Sequence, residues 1–313
     1  MKAFVLAAGF GTRLKPLTDH IPKPLIPVLN IPCLFYTFYL LKQAGIREII
    51  CNTHHHADTI RRFIDASKLS DLEISFSEEP VILGTGGGLK KCEKLLGDSE
   101  FILVNSDIIT DIDFTALIAH HRQSKRAGTL TLFETPEAAS IGYIGIEEGL
   151  VKDFRNLRNS GLVSSFIYTG TAVLTPEIFS YLQNGFSGIV DTGFTGLVDN
   201  GGLSYYQHEG VWMDIGTMAS YWKANLDRES IISRMGAPMK RAIGMEPHRI
   251  SPAAEISPDA LISGSVIGRG CKIGPGCTIT DSVLLPETEV RAGTTIINSV
   301  VDPFHTTIMG NPN

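Results

Sequence analysis

Gly9, Gly11, Arg13 and Lys23 are four residues that together could hold a polyphosphate, and all lie in the run FVLAAGFGTRLKPLTDHIPKPLIPV from Phe4 to Val28. Phe4-Val5-Leu6 reads as a buried strand. Gly9-Phe10-Gly11 lets backbone N–H groups come close to an anion. Arg13 offers a forked pair of donors, and Lys23, between Pro22 and Pro24, a point charge on a stiffened tether. A glycine turn of this kind usually opens a helix whose N-terminus takes the phosphate. Here Pro16, Pro22, Pro24 and Pro27 forbid a long helix and fix φ, so the loop is ordered without one. Spacing excludes two helix-based devices. The third glycine of GxGxxG falls on Leu14, and GxxxxGK[ST] occurs nowhere in the chain. What is left is an extended cationic loop for a ligand with more phosphates than one helix end covers.

The elements that must position this loop follow from periodicity. Strand-like runs at 2–8, 48–53, 73–78, 101–106 and 128–134 alternate with helix-like stretches at about 33–44, 56–67, 87–96 and 114–126. That rhythm predicts an α/β fold, a mainly parallel Rossmann-like sheet with helices on both faces. Ligands in such sheets sit beyond the carboxyl ends of the strands. Gly9–Arg13 follows the first strand and Asp107 follows Phe101-Ile102-Leu103-Val104, so both are expected to face one crevice. From about 136 to 212 the rhythm loosens, and Tyr143–Ile146 and Ser204–Tyr206 look like strands of an insertion that walls a second substrate. The stretch 218–232 reads as a helix. Residues 233–255, with Gly236, Pro238, Gly244, Pro247 and Pro252, read as a linker.

Beyond the linker, apolar residues recur at Ile256, Ile262, Ile267, Ile273, Ile279, Leu285, Val290 and Ile296, in steps of 6, 5, 6, 6, 6, 5 and 6. This is the hexapeptide period of a short β-helix of fewer than three coils. Its flat faces suit capping or a homo-oligomer better than an enclosed active site. The predicted division is therefore a catalytic domain at 1–232, a linker at 233–255 and a β-helix domain at 256–313.

Composition narrows the partners. The chain has 313 residues, 43% apolar and 19% charged, with a net charge of −6. No Lys/Arg stripe marks a nucleic-acid surface, and no apolar stretch approaches the roughly 18 residues of a membrane span. The start shows no signal-peptide pattern. The five cysteines, at 33, 51, 92, 271 and 277, form no CxxC and read as reduced, mostly buried thiols. A cytoplasmic protein is expected. Three other features are read as structural or local. His54-His55-His56 cannot all face one ion and reads as a polar loop and helix start, and His120-His121 reads as surface. Gly86-Gly87-Gly88 reads as a tight approach to a bound nucleotide.

LAAGFGTRLKPLT…PKPLIPV, LGTGGG (83–88), VNSD (104–107) and WMDIGT (212–217) together resemble the signature of nucleotidyltransferases that make nucleotide sugars from an NTP and a sugar 1-phosphate. A C-terminal hexapeptide left-handed β-helix is common in that family. The sequence is most similar in feel to mannose-1-phosphate guanylyltransferase-like members. The resemblance implies that Leu6, Ala7 and Gly9 line base and ribose, that Gly11, Thr12 and Arg13 hold the β- and γ-phosphates, and that Lys23 bridges nucleotide and sugar phosphates. It implies Mg²⁺ on Asp107 and Asp214, with Ser106 in place of the usual glycine. Gly84, Thr85 and Glu79 fall where relatives read the base. A carboxylate only accepts hydrogen bonds, which suits the paired donors of guanine and makes GTP the lead over UTP, dTTP or CTP. Gly142, Tyr143, Tyr168, Thr169 and Gly170 match sugar-contacting segments. The usual Glu-Lys-Pro string is replaced by Lys152-Asp153-Phe154-Arg155-Asn156. Asp191 either contacts sugar hydroxyls or is a loop carboxylate in water. Mannose and heptose lead, with glucose, an N-acetylated sugar and phosphocholine open. A sugar 1-phosphate oxygen is already anionic, so attack on the α-phosphorus needs no general base, only alignment and charge neutralisation by Arg13, Lys23 and Mg²⁺. An acyl-transferring β-helix is disfavoured because its one histidine, His305, lies outside the repeat. A non-catalytic regulatory subunit could lose Arg13, Lys23, Asp107 or Asp214, and all four are present.

Overall fold

The computed structural model describes residues 1–67, 69 and 71–310, so the end of the expected β-helix domain, 311–313, lies outside the described residues. The chain forms two compact units, Met1–Phe10 with Thr37–Trp212, and Gly11–Tyr36 with Met213–Asn313. The cationic loop thus groups with the C-terminal part of the chain, a division that local sequence patterns do not reveal.

The first unit is built on a nine-stranded sheet. Its strands are β1 (Lys2–Leu6), β2 (Glu48–Thr53), β3 (Glu73–Glu78), β4 (Phe101–Asn105), β5 (Gly128–Glu134), β6 (Ile144–Glu147), β7 (Leu150–Phe154), β8 (Phe166–Leu174) and β9 (Leu203–His208), in the order β3-β2-β1-β4-β8-β5-β9-β7-β6. The limb β3-β2-β1-β4 is parallel throughout, with Val5 opposite Cys51 and Val104. Beyond β4 the mainly parallel sheet becomes mixed, with β9 again parallel to β5. β8 enters antiparallel to both β4 and β5, and β6 and β7 form an antiparallel hairpin at the far edge. Parallel pairing needs a helical crossover, and residues 136–165 supply short strands and turns instead. The core runs from Phe4 and Leu103 through Leu130 and Ala172 to Phe194 and Leu203.

The helix Phe114–Ser124 buries Phe114, Leu117, Ile118 and His121 along one stripe. His121, expected at the surface, is therefore 3% exposed and bonds Thr129 Oγ1 at 2.9 Å. Burial lowers its pKa against the opposing pull of Glu100.

In the second unit, the stretch read as a linker begins inside a helix. Met218–Leu226 is followed, after Asp227, by a helix spanning Arg228–Ile243 with Pro238 in its interior. Ile231, Met235, Met239 and Ile243 recur every fourth residue and are all buried. A mid-helix proline costs about 3 kcal/mol, whereas each buried side chain of this size returns about 1.5–3 kcal/mol, so the stripe prevails. Gly244, at φ 73°, ends the helix. The β-helix has three parallel faces of three rungs each. Ile256, Ile273 and Val290 stack on one face, Ile262, Ile279 and Ile296 on the next, and Ile267, Leu284 and Val301 on the third. Three full rungs replace the expected fewer than three, and Leu284 rather than Leu285 stands in register with Ile267, with Leu285 buried beside it. All five cysteines are buried and none forms a disulfide.

Candidate active site

In the first unit a cavity of about 180 Å³ opens at the carboxyl ends of β1, β2 and β4. Leu6, Ala8 and Gly9 supply one side, Asn105 and Asp107 a second, and Glu79, Ile82, Gly84 and Thr85 a third. Gly9 and Asp107 therefore line one cavity, as the strand-end rule requires. Ser106, where the resemblance leads one to expect glycine, turns inward and donates its hydroxyl to the Leu6 carbonyl at 2.6 Å. That bond ties the end of β4 to the end of β1. Gly170 has φ 86°, and a Cβ there would lie 2.7 Å from Asn105 Nδ2. The glycine makes room for Asn105 beside the cavity.

Glu79 is 1% exposed, and each of its carboxylate oxygens accepts a protein donor. Asn52 donates its amide to Oε1 at 2.7 Å, and the Leu83 N–H donates to Oε2 at 2.8 Å. Asn52 in turn accepts the Ala7 N–H at 2.8 Å. The relay Ala7–Asn52–Glu79–Leu83 fixes the turn after β1 and the start of the glycine-rich helix Gly84–Lys91. Asn52 was not singled out from the sequence. Its signal there is a single amide ending the apolar run Ile49-Ile50-Cys51. The backbone carbonyl of Glu79 also meets His54 Nδ1 at 2.6 Å, and Phe10 lies against His54 and His55. His56 sits at the start of the helix Ala57–Ala66.

The run Gly86-Gly87-Gly88 lies within that helix, and its tight approach is to protein. A Cβ at Gly87 would fall 1.9 Å from the Gly185 carbonyl oxygen, and at Gly86 2.7 Å from Ser187 Oγ. At Gly88 it would meet Glu79 Oε1 at 2.6 Å and Asn52 Nδ2 at 2.8 Å. Thr85 Oγ1 accepts the Ile189 N–H at 2.9 Å, and Gly86 donates to Ser187 O at 2.8 Å, which completes the seam to loop 185–189. Asp191 is exposed at the start of the π-helical turn Val190–Phe194.

The residues matched to sugar contacts are distributed differently. Thr169 is buried and donates to Thr131 O at 2.9 Å, while its carbonyl accepts Trp212 Nε1 at 3.0 Å. The Tyr168 hydroxyl is buried without a hydrogen-bond partner among the described residues, its ring crosses Phe194 edge to face, and burial raises its pKa. Gly142 has φ 137°, and the Arg155 side chain covers the place of its missing Cβ at 2.9 Å. The Tyr143 carbonyl accepts the Arg155 N–H. The turn holding Arg155 is organised by Asp153, whose carboxylate accepts the N–H groups of Phe154, Arg158 and Ser160 and the Ser160 hydroxyl at 2.7–3.3 Å. Burial works to raise the Asp153 pKa, and these bonds outweigh it, so the net shift is downward.

In the second unit the cationic loop is three single 3-10 turns, Thr12–Leu14, Leu17–Asp19 and Lys23–Leu25. Leu14, Leu17, Leu25 and Ile26 are buried and anchor it, while Thr12 and Arg13 are exposed. Gly11 takes φ 65°, and its carbonyl accepts both the Leu14 N–H and the Thr18 hydroxyl. Asp214 and Arg13 meet around Gly216. A Cβ there would lie 2.8 and 3.0 Å from the two carboxylate oxygens and 2.9 Å from Arg13 Nη2. The Gly216 N–H donates to Asp214 Oδ1 at 2.7 Å.

The first unit thus carries a strand-end cavity, and the second a cationic loop and a β-helix. The chain belongs to the nucleotidyl transferase family, which it matches over residues 2–231. Residues 239–309 match the GlmU-like C-terminal hexapeptide region. It is 34% identical to an N-acetylmuramate alpha-1-phosphate uridylyltransferase of Neisseria meningitidis, over 70% of this chain and 94% of that one. It is 30% identical to a UTP–glucose-1-phosphate uridylyltransferase of Synechocystis, over 72% of this chain, and spans 62% of that protein's length. It is 31% identical to the catalytic subunit beta of a mannose-1-phosphate guanylyltransferase of Danio rerio, over 69% of this chain and 61% of that one. A solved structure described as a glucose-1-phosphate thymidylyltransferase from Bacillus anthracis superposes with a TM-score of 0.66 at 25% identity, covering 72% of this chain and 94% of that one.

Proposed function

We propose that the chain transfers a nucleotidyl group from an NTP to a sugar 1-phosphate, releasing pyrophosphate. The observation that carries this reading is the cavity at the carboxyl ends of β1 and β4, which gathers Leu6, Gly9, Glu79, Gly84, Thr85 and Asp107. All six are positions where the sequence resembles nucleotide-sugar-forming enzymes. Arg13 and Lys23 on the stiff loop neutralise the polyphosphate, and the sugar phosphate oxygen attacks in line. Asp107 offers carboxylate oxygens on the cavity wall, donors that suit a hard cation. The resemblance gives Asp214 the same role. Bound Mg²⁺ would supply charge neutralisation at the phosphates.

Guanine recognition by Glu79 needs a carboxylate turned to the ligand, and here both oxygens already accept protein donors. That weakens the case for GTP from Glu79, and the likeness to two uridylyltransferases supports UTP as lead substrate. The N-acetylmuramate 1-phosphate uridylyltransferase, matched over nearly its whole length, supports an N-acetylated sugar over mannose. The test is a pyrophosphate-release screen of UTP, GTP, dTTP and CTP against glucose, mannose, N-acetylglucosamine and N-acetylmuramate 1-phosphates. Release with UTP and an N-acetylated sugar is expected. Preference for GTP with mannose 1-phosphate overturns the substrate assignment, and no release in any pairing overturns the reaction.

A further inference from the structure

The cationic loop has almost no regular structure of its own, so its order must come from what it touches. At its exit, Asn30 donates its amide to three carbonyls, those of His248 at 3.0 Å, Arg249 at 3.4 Å and Ile267 at 3.1 Å. Ile267 belongs to the β-helix core. The His248 N–H donates back to Leu29 O at 3.0 Å, the Leu29 N–H donates to Asn225 Oδ1 at 2.9 Å, and the Tyr221 hydroxyl donates to Pro27 O at 2.9 Å. In the middle of the loop, the His20 ring lies on Phe304 with centroids 4.4 Å apart, and His305 follows at 6.2 Å. Phe304 stands in the turn between the last two strands, Ser299–Val301 and Thr306–Ile308. Asp302 Oδ1 shapes that turn by accepting the N–H groups of Phe304 and His305, each at 2.7 Å.

We infer that the C-terminal β-helix is a positioning scaffold for the cationic loop. Asn30 pins its exit and the His20–Phe304 contact holds its middle, between the turns that carry Arg13 and Lys23. The inference rests on the reading of that loop as the polyphosphate site. His20, Asn30 and Phe304 are positioning residues, with no role in the chemical step. An aromatic pair of this kind contributes an amount that converts to roughly a 2- to 10-fold change in an equilibrium. A loop that must be ordered before it grips a ligand loses affinity by that factor when the order is lost.

The experiment uses the full chain with Phe304→Ala, His20→Ala and the double variant. Hydrogen–deuterium exchange is read in peptides covering 11–25, and KM for the NTP and kcat are read from pyrophosphate release. Faster exchange in 11–25 is expected in each single variant, with KM raised about 2- to 10-fold and kcat unchanged. The double variant should be no worse than either single, because the two rings act as one unit. Unchanged exchange in 11–25, or additive effects in the double variant, overturns the inference. If the wild type releases no pyrophosphate with any substrate pair, the reading of the site fails, and exchange still decides whether the β-helix orders the loop. Asn30→Asp, which turns a carboxylate toward three carbonyls, is expected to exceed both. Phe304 is 66% exposed, so its variant folds even if Asn30→Asp does not.

Discussion

Two glycine-rich segments, Gly9–Gly11 and Gly84–Gly88, use one residue type for opposite ends. Around Gly9 a Cβ would meet nothing within 4 Å, and Gly9, Thr12 and Arg13 are exposed. At Gly84, Gly86, Gly87 and Gly88 the space of the missing Cβ is already taken by protein, mostly the backbone of residues 185–188 or the Asn52–Glu79 pair. The first segment leaves room for a ligand at Gly9, while its Gly11, at φ 65°, is already met by Thr18 Cγ2 at 2.7 Å, and the second spends all four of these glycines on packing. A glycine motif therefore acquires meaning from what fills the vacated volume.

The largest effects should fall on charged residues at the open segment and at the cavity wall. Lys23→Ala and Asp107→Ala are each expected to lower kcat/KM by more than about a hundredfold, or roughly 2.7 kcal/mol of transition-state stabilisation. Their melting temperatures should stay near wild type. Near-normal turnover in either would break the comparison at its functional end. Gly9→Ala sharpens it, since the added methyl occupies ligand space alone and should raise KM for the NTP without loss of stability.

Gly87→Ala tests the packed segment. With a backbone oxygen 1.9 Å from the new methyl, the helix or loop 185–189 must move. A loss of about 1–3 kcal/mol is expected by denaturant titration. If Gly87→Ala is as stable as wild type while Gly9→Ala is not, the roles assigned to the two segments are reversed. Glu79→Gln ranks next. An amide nitrogen would face either the Asn52 amide or the Leu83 N–H, donor against donor, at about 1–3 kcal/mol. A relay residue should weaken every NTP alike. A change in base preference would instead make Glu79 a base reader.

How much of this was legible in the sequence depends on the range of each interaction. The β-helix rungs follow from steps of 6, 5 and 6 because each inward residue is fixed by its immediate neighbours. The parallel limb of the sheet and the meeting of Gly9 with Asp107 follow from local periodicity plus one rule of topology. The Asn52–Glu79 relay does not, since its partners are 27 residues apart and meet only through strand register. The antiparallel entry of β8 between β4 and β5 is equally non-local. Pro238 and Gly236 misled for another reason, since breaker residues were weighed without the buried stripe from Ile231 to Ile243 that overrides them.

A third segment refines the comparison, because it reaches left-handed backbone largely without glycine. Arg155, Asn156 and Asn159 have φ of 51°, 57° and 55°. Such conformations cost L residues free energy and persist only where surroundings enforce them. The enforcing group here is the Asp153 carboxylate, with its three N–H donors and the Ser160 hydroxyl. Its folded pKa is depressed, so its contribution to stability is fully present above the unfolded value of about 3.9 and is lost as pH falls through the folded value. Asp153→Asn keeps the shape and removes the charge, turning an amide toward backbone donors. Its melting temperature should lie below wild type at pH 7, and the gap should close as pH drops below about 4, where the wild-type carboxyl is itself protonated. A gap that stays constant from pH 7 to pH 3 would mean that the turn is held by its shape rather than by the ionised acceptor, and that it stands closer to the packed glycine segment than to a charge-organised one.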